Sequence, residues 1–458
     1  MIKTEFLTLN QRIGLRFQNI KSMDRYLSQF KDFVLPKFYC LPKIHKKGPL
    51  SGRPIASAFK HFTTGISAVL SWRLRPMITS DPVILRDTKH FITRLENTVL
   101  PANTILVTLD IVALYPNMDQ EMTVQAVESE LKRAGQTRED IELLKDMTRF
   151  TLNNSYVTYN GAVYKQNTGT AMGTNAAPEL ANIFGQVYVD GSDLFTMARK
   201  FQMLWFHRFL DDIIFAWTGT REDLLLFLDD IQRLHPSIKF TAHIGSNSVD
   251  FLDITVFNHD GKLMVKPYVK EMNKFLYLPY NSNHPVHTKK GFLKGELIRL
   301  LRNSSMREHF NEAKLHFNTH LAARGYPSWF IAPIFARVTF ADKAHFSLAT
   351  AETDSRTDVY FKTQYHPLMI EMGLKQLLTK HWDLLPIKDT HKPLVSYAKQ
   401  HNLKELAITS DFQLAIDAKE ESTELLDQNI WEEPKNPRTI QQWFHLFSQE
   451  NNQLSRGS

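Results

Sequence analysis

Hydrophobic and polar positions change rhythm several times along the chain, and each change predicts an element. Phe17, Ile20, Met23, Leu27 and Phe30 recur at helix-like intervals, so residues 1–35 are predicted to be helical, an ordinary surface helix on a core. Phe59 to Arg75 is apolar on one face and should be a helix that closes before Pro76. Ile105 to Leu109 is an apolar run of strand length that ends on Asp110. Glu121 to Arg133 predicts a helix with Met122, Val124, Val127 and Leu131 inside. A glycine-bearing loop from Gln166 turns helical at Pro178. Trp205 to Trp217 holds two runs of aromatic and β-branched residues around Asp211 and Asp212, a strand, a tight turn and a second strand. Thr220 with Asp223 gives a capping-box-like start to a helix reaching Leu234, whose apolar face should cover the back of the sheet. Phe251 to Val256 reads as one further strand, and a helical region continues to about Ala344.

The chemistry sits where these runs end in charge. Burying a carboxylate is costly unless it is paired or binds a cation. Asp211 and Asp212 at the tip of a buried hairpin would repel each other, and a divalent metal would remove that cost. Either aspartate could equally be a turn residue, and Asp110 alone could be a helix cap. Together they make a three-carboxylate cluster if the strands are neighbours. Hard oxygen ligands of that kind suit Mg²⁺, with Mn²⁺ as a substitute. Two such ions roughly 3.5–4 Å apart activate an attacking oxygen and stabilise a leaving one in phosphoryl transfer.

Composition narrows the partners. At 458 residues the chain should hold two to four domains, and 43% hydrophobic content allows sizeable cores. Net charge is +7, from 55 basic and 48 acidic residues, with a pI near 9.1, which suits an acidic partner such as nucleic acid. The single cysteine, Cys40, excludes a disulfide framework and a cysteine-based zinc site, and fits a reducing compartment, cytosol or nucleus. No run approaches a membrane span, and the N-terminus lacks a signal-peptide pattern. Two basic stretches stand out. Lys37 to Arg53, with Lys43, Lys46 and Lys47, reads as two short strands joined by a basic loop. Lys266 to Arg307 interleaves Lys270, Lys274, Lys289, Lys290 and Arg299 with Tyr268, Phe275, Tyr277, Tyr280 and His284. Cations for phosphates and aromatics for sugars or bases are what a nucleic-acid track needs. Arg73 and Arg75 could line a cleft or complement a helix dipole.

The ordered motifs carry a resemblance. Asp110 with Tyr115, then Gln166 to Pro178 with Met172 and Gly173, then Phe209-Leu-Asp211-Asp212, resemble a reverse transcriptase palm. Leu41-Pro-Lys43-Ile-His45-Lys46, Gly52-Arg53-Pro54, Phe251-Leu-Asp253 and Tyr277 to Pro285 followed by Lys289-Lys290-Gly291 narrow it to the Penelope-like retroelement branch, over about Phe38 to Ser410. The family usually has Ser where Ala177 stands and Tyr where Phe209 stands, so a hydroxyl is missing at each.

The resemblance implies an α+β right-hand polymerase: an N-terminal helical segment (1–35), fingers (36–104), a ferredoxin-like palm with finger insertions (105–260), a helical thumb (261–348), a mainly helical C-terminal extension (349–410) and an acidic tail (411–458). It implies an RNA-directed DNA polymerase working in the nucleus after cytoplasmic synthesis. Asp110 and Asp211 would ligate two Mg²⁺ ions with Asp212 in support, and Lys43 and Arg53 would touch the triphosphate. Tyr115 would be the steric gate against ribonucleotides, and Gln166, Met172 and Gly173 would contact nucleotide and templating base. Lys46, Lys270, Lys274, His284, Lys289, Lys290 and Arg299 would hold an RNA template and DNA primer. The partners expected are that hybrid, deoxynucleotides, and no membrane. No GIY-YIG endonuclease motif follows Ser410, so priming is expected from existing 3′ ends or a partner nuclease. Two other readings stand beside this one: a non-catalytic nucleic-acid-binding relative, and an RNA-templated RNA polymerase, against which Tyr115 argues.

Overall fold

A computed structural model describes residues 2–17, 34–42, 52–56, 61–245, 247–348, 357–364, 373–398 and 438–439. The chain forms two compact units, one holding the described residues through Asn273 together with 438–439, and the other the described residues from Lys274 to Ala398.

The first unit is built on a four-stranded antiparallel sheet. Its strands are β3 (Ile105–Ile111), β6 (Met203–Phe209), β7 (Asp212–Trp217) and β8 (Phe240–Gly245), in the order β6-β7-β3-β8. Helices α5 (Gln120–Arg133), α6 (Arg138–Asn153), α7 (Ala177–Gly185) and α8 (Asp193–Phe201) fall between β3 and β6, and α9 (Arg221–Ile231) between β7 and β8. That is a β-α-β-β-α-β connectivity. Both faces of the sheet are covered, which is why β3 and β7 read as nearly continuous apolar runs. Val107, Leu109, Ile111, Ile213, Phe215 and Trp217 pack against the helices and α2 (Thr64–Thr79). Leu106, Ile214 and Ala216 point the other way, into a core shared with α3 (Thr88–Leu95) and a second sheet of β9 (Ser248–Phe251), β10 (Ile254–His259) and β11 (Lys262–Pro267). By the two-residue period of a strand, Asp110 and Asp212 belong to this second face.

Several expectations change. The stretch from Phe251 is two strands, because Leu252 takes φ +55° and turns the chain at Leu252-Asp253. Asp253 accepts a hydrogen bond from Thr88 Oγ1 at the start of α3, and is an anchor between the two elements. Helix α2 does not stop before Pro76 but runs through it to Thr79, since its buried face continues with Met77 and Ile78. Arg73 and Arg75 are engaged within the protein, by Asp140 and Glu179. The N-terminal helix α1 (Ile2–Arg16) buries Ile2, Phe6, Leu9 and Ile13 and pairs Arg12 with Asp146 and Arg16 with Asp140 on α6. The expected stripe from Ile20 to Phe30 lies outside the described residues. Several elements had no counterpart in the sequence reading, among them α3, α6, α8, β8, β11 and the hairpin of β4 (Tyr156–Tyr159) and β5 (Ala162–Lys165). The expected pair of short strands exists as β1 (Phe38–Pro42) against β2 (Gly52–Ala56), while their connecting loop lies outside the described residues.

The second unit opens with helices α10 (Val286–Arg302), α11 (Arg307–Ala323), α12 (Ser328–Ala336) and α13 (Lys343–Leu348), packed around Leu293, Leu297, Phe310, Phe317, Leu321 and Phe330. The expected mainly helical extension differs. Its described residues form two parallel strands, β12 (Thr357–Gln364) and β13 (His391–Ala398), joined through α14 (Leu374–Trp382). The tyrosine, valine and phenylalanine content of the two strands suits a pleated surface better than a helix. Among the described residues no helix is long and apolar enough to cross a membrane.

Candidate catalytic carboxylate site

Register brings the aspartates together. Asp110 lies directly opposite Asp212 in the β3–β7 ladder, and Ile111 N–H donates to the Asp211 carbonyl at 2.9 Å. The β6–β7 turn is only Leu210-Asp211, and Leu210 is held at φ +54°. A non-glycine residue there costs about 1–2 kcal/mol, and such costs concentrate at functional sites. Burial first, then the charges of Asp211 and Asp110, push the Asp212 carboxyl up to about 6, and Lys270 only partly opposes them. The expected primer contact Lys270 therefore faces the carboxylates.

The three aspartates are not closed into a cage: among the described residues no group of three or more His, Cys, Asp or Glu is gathered tightly enough to hold a metal ion. The donor set nonetheless fits a hard divalent cation, because the charges that raise Asp212 are the repulsion such a cation would relieve. The metal-free protein should show this directly. An aspartate ordinarily titrates near 4. With the folded value raised to about 6, the folded state holds the extra proton between those two pH values. The Asp212 contribution to stability should thus be fully present below about pH 4 and be lost as pH rises through about 6, against the opposite trend of carboxylates such as Asp140 that are held low. Asp212→Asn should remove that loss, as read from melting temperature against pH in EDTA. A variant with the wild-type pH profile would mean that the three charges do not interact.

Tyr115 stands beside this cluster. Ala113 at φ +50° reverses the chain after β3 and starts the short turn α4 (Leu114–Asn117). The phenol is pushed up to about 12 by burial, then by the charges of Asp211 and Glu179, and stays protonated. The Gln166–Gly173 loop is sewn to the same turn. Thr170 N–H donates to the Tyr115 carbonyl (2.9 Å), Gly169 N–H to the Met118 carbonyl (2.8 Å), and Gln120 Nε2 to the Gly169 carbonyl (3.0 Å). Gly169 has φ +71°, and any Cβ there would lie 2.3 Å from the Tyr115 carbonyl oxygen. Gln166 and Met172 line a cavity of about 190 Å³ with Phe38, Pro54, Pro116 and Asn117. Ala56 N–H donates to the Met172 carbonyl, which ties the loop to β2. Gly173, at φ +126°, is exposed on the same loop. Pro178 enters α7 in its first turn, where its missing N–H is harmless.

Among the described residues, the remaining expected contacts fall in both units. Arg53 is exposed on β2, and Lys43 and Lys46 lie outside the described residues. In the second unit Lys274, His284 and Lys290 are exposed, and Arg299 makes a bidentate pair with Glu296. Lys289 does not fit the expected role. It is 8% exposed, donates to the Tyr280 carbonyl at 2.6 Å and sits over the Tyr280 ring, so it holds the fold together instead of facing a phosphate.

Sequence reasoning missed Arg208, although a lone arginine inside an apolar strand is a signal in itself. It is fully buried against Asp190, Asn182 and the Leu210 carbonyl.

Residues 276–336 match the animal helix-turn-helix domain family. That stretch includes α11, the turn at Arg324 to Pro327, and α12. No curated protein matches the sequence. Among solved structures, the chain is similar to telomerase from Candida albicans in complex with a TWJ fragment of telomeric RNA (12% identity, 79% of this chain and 66% of that one, TM-score 0.46). It is also similar to a Candida tropicalis telomerase in complex with a TWJ fragment of telomeric RNA (16%, 70% and 63%, 0.41). A third is the RNA-dependent RNA polymerase of a human picobirnavirus (12%, 68% and 63%, 0.45). The chain spans just under two thirds of the length of each.

Proposed function

We propose that this chain is a nucleic-acid polymerase that extends a primer 3′-hydroxyl along an RNA template with deoxynucleotides, a reverse transcriptase of the Penelope-like kind acting in the nucleus. One observation carries the reading: Asp110 and Asp212 face each other across β3 and β7, with Asp211 in the adjoining turn and Tyr115 beside it. Asp110 and Asp211 would hold Mg²⁺, with Asp212 in support. When bound, the metal lowers the pKa of the attacking hydroxyl and neutralises the triphosphate. The protein's own part is alignment and charge. The palm carboxylates set where the 3′ oxygen meets the α-phosphorus. Arg53, together with Lys43, offsets the charge of the departing pyrophosphate. The Gln166–Gly173 loop, bonded to the Tyr115 turn, shapes the base and sugar pocket. The basic, aromatic-rich stretch from Lys266 supports the primer–template duplex.

The test is primer extension on an RNA template with Mg²⁺ and deoxynucleotides. Extension by the wild type is expected. Binding of primer–template without extension under any metal would leave the non-catalytic reading instead. The product is tested at Tyr115, whose ring would occupy the place of a ribose 2′-hydroxyl. Tyr115→Ala should raise ribonucleotide incorporation relative to deoxynucleotide by about 10²-fold, seen as the ratio of the two kcat/KM values. Efficient ribonucleotide use by the wild type would favour the RNA polymerase reading.

A further inference from the structure

A buried arginine stands behind the carboxylate turn. Arg208 has no exposed surface, and its guanidinium lies across α7 at Gly185, where any Cβ would sit 2.9 Å from Cζ. All five of its N–H groups have acceptors. Nε donates to Asp190 Oδ2 at 2.9 Å, and Nη2 to the same oxygen at 2.8 Å and to the Asn182 carbonyl at 3.0 Å. Nη1 donates to Asn182 Oδ1 at 3.1 Å and to the Leu210 carbonyl at 3.0 Å. The Arg208 backbone is equally committed: its N–H donates to the Val83 carbonyl and its carbonyl accepts from Leu85 N–H. Asp190 reaches this position from a π-helical turn, Gln186–Asp190, closed by Gly191 N–H on the Gln186 carbonyl. Single π turns of this kind recur at functional sites.

The Leu210 carbonyl matters most. It belongs to the same peptide plane as the N–H of Asp211. We propose that Arg208, braced by Asp190 and Asn182, is a positioning residue that fixes the Leu210–Asp211 peptide and thereby aims the Asp211 carboxylate. Phe206 packs with the helices, so two residues on, Arg208 lies on the helical side of the sheet, away from Asp110 and Asp212. It touches neither substrate nor metal. It also joins the turn to α7, the helix that continues the Gly173 loop, so loop and carboxylates share one brace. The bond to a turn carbonyl beside a left-handed leucine is the part that aims the site.

The inference rests on the proposed polymerase reading, and its test separates the two. Arg208→Lys keeps the charge but cannot reach Asp190 and the Leu210 carbonyl together. Gly185→Ala removes no polar group and favours the helix, yet pushes the guanidinium aside. Two titrations are read for each: Mn²⁺ binding to the protein alone, from the EPR signal of free Mn²⁺, and Mg²⁺ dependence of primer extension. Both variants should weaken Mn²⁺ binding and raise the Mg²⁺ needed for half-maximal extension about tenfold, with primer–template Kd unchanged. Lower melting temperatures with both metal midpoints unmoved would overturn the proposal and leave Arg208 a structural residue. Should Arg208→Lys fail to fold, Gly185→Ala decides alone. A wild type that binds Mn²⁺ but never extends a primer would sink the polymerase reading, and the Mn²⁺ titration would still judge the role of Arg208.

Discussion

Asp211→Asn is expected to lower primer extension by on the order of 10³-fold or more while leaving primer–template binding in place. The argument separates charge from shape. Asn is isosteric with Asp and sits as readily in a two-residue turn, so the Leu210-Asp211 hairpin should persist. What disappears is one of the two charges that raise Asp212. The metal-free variant should therefore be at least as stable as the wild type at pH 7, where the three carboxylates repel most. Activity and stability are expected to move in opposite directions, which a misfolded variant cannot imitate. Asp110→Asn should behave in the same way, because Asp110 contributes to the same repulsion from the neighbouring strand. Single-turnover extension and a thermal melt in EDTA, on the same preparations, decide it. Full activity in Asp211→Asn would remove the metal role. Lost activity with lowered stability would mean that the turn had been damaged.

The parts of this site legible in the sequence were those set by local chemistry. An apolar run ending in Asp110, a hairpin bearing Asp211 and Asp212, and a helix capped at Thr220 by its bond to Asp223 N–H all follow from burial, turn and capping preferences of neighbouring residues, although the turn itself is Leu210-Asp211, one residue earlier than the expected Asp211-Asp212, and Asp212 opens β7. The facing of Asp110 and Asp212 did not, since register is decided by partners far along the chain. Arg208 shows the same limit from the other side. The acceptors of its five N–H groups come from residues 2 to 26 positions away, and a buried charge in an apolar run announces only that some partner must exist. Lys289 looked like one more cation in a basic stretch until its burial beneath Tyr280 was seen. Some signals were present and passed over. Asn160-Gly161 and Asp260-Gly261 are primed-turn dipeptides, and both close hairpins with the two residues at positive φ. Leu252-Asp253 could not have been found that way, because leucine carries no turn signal and its conformation is imposed by pairing on both sides.

Gly169→Ala should be among the most damaging single-methyl changes in the protein. The backbone there is left-handed, at φ +71°, and the added Cβ would meet the Tyr115 carbonyl oxygen at 2.3 Å and the Pro116 oxygen at 2.6 Å. Those atoms are backbone and cannot rotate away. The left-handed conformation costs alanine about 1 kcal/mol, and forced overpacking adds about 1–3 kcal/mol. Gly161 supplies the control. It has nearly the same φ, +73°, but open space around it, so Gly161→Ala bears the conformational cost without the collision. The difference between the two variants in urea unfolding is therefore the steric part, expected at about 2 kcal/mol. The functional consequence follows from what would have to move. The loop can escape only by separating from the Tyr115 turn, which breaks the bonds from Thr170 N–H and Gly169 N–H. That separation should raise the nucleotide KM and blunt discrimination against ribonucleotides, whereas Gly161→Ala should leave both unchanged. Equal behaviour of the two variants in stability and in KM would show that the loop and the Tyr115 turn are not coupled through Gly169.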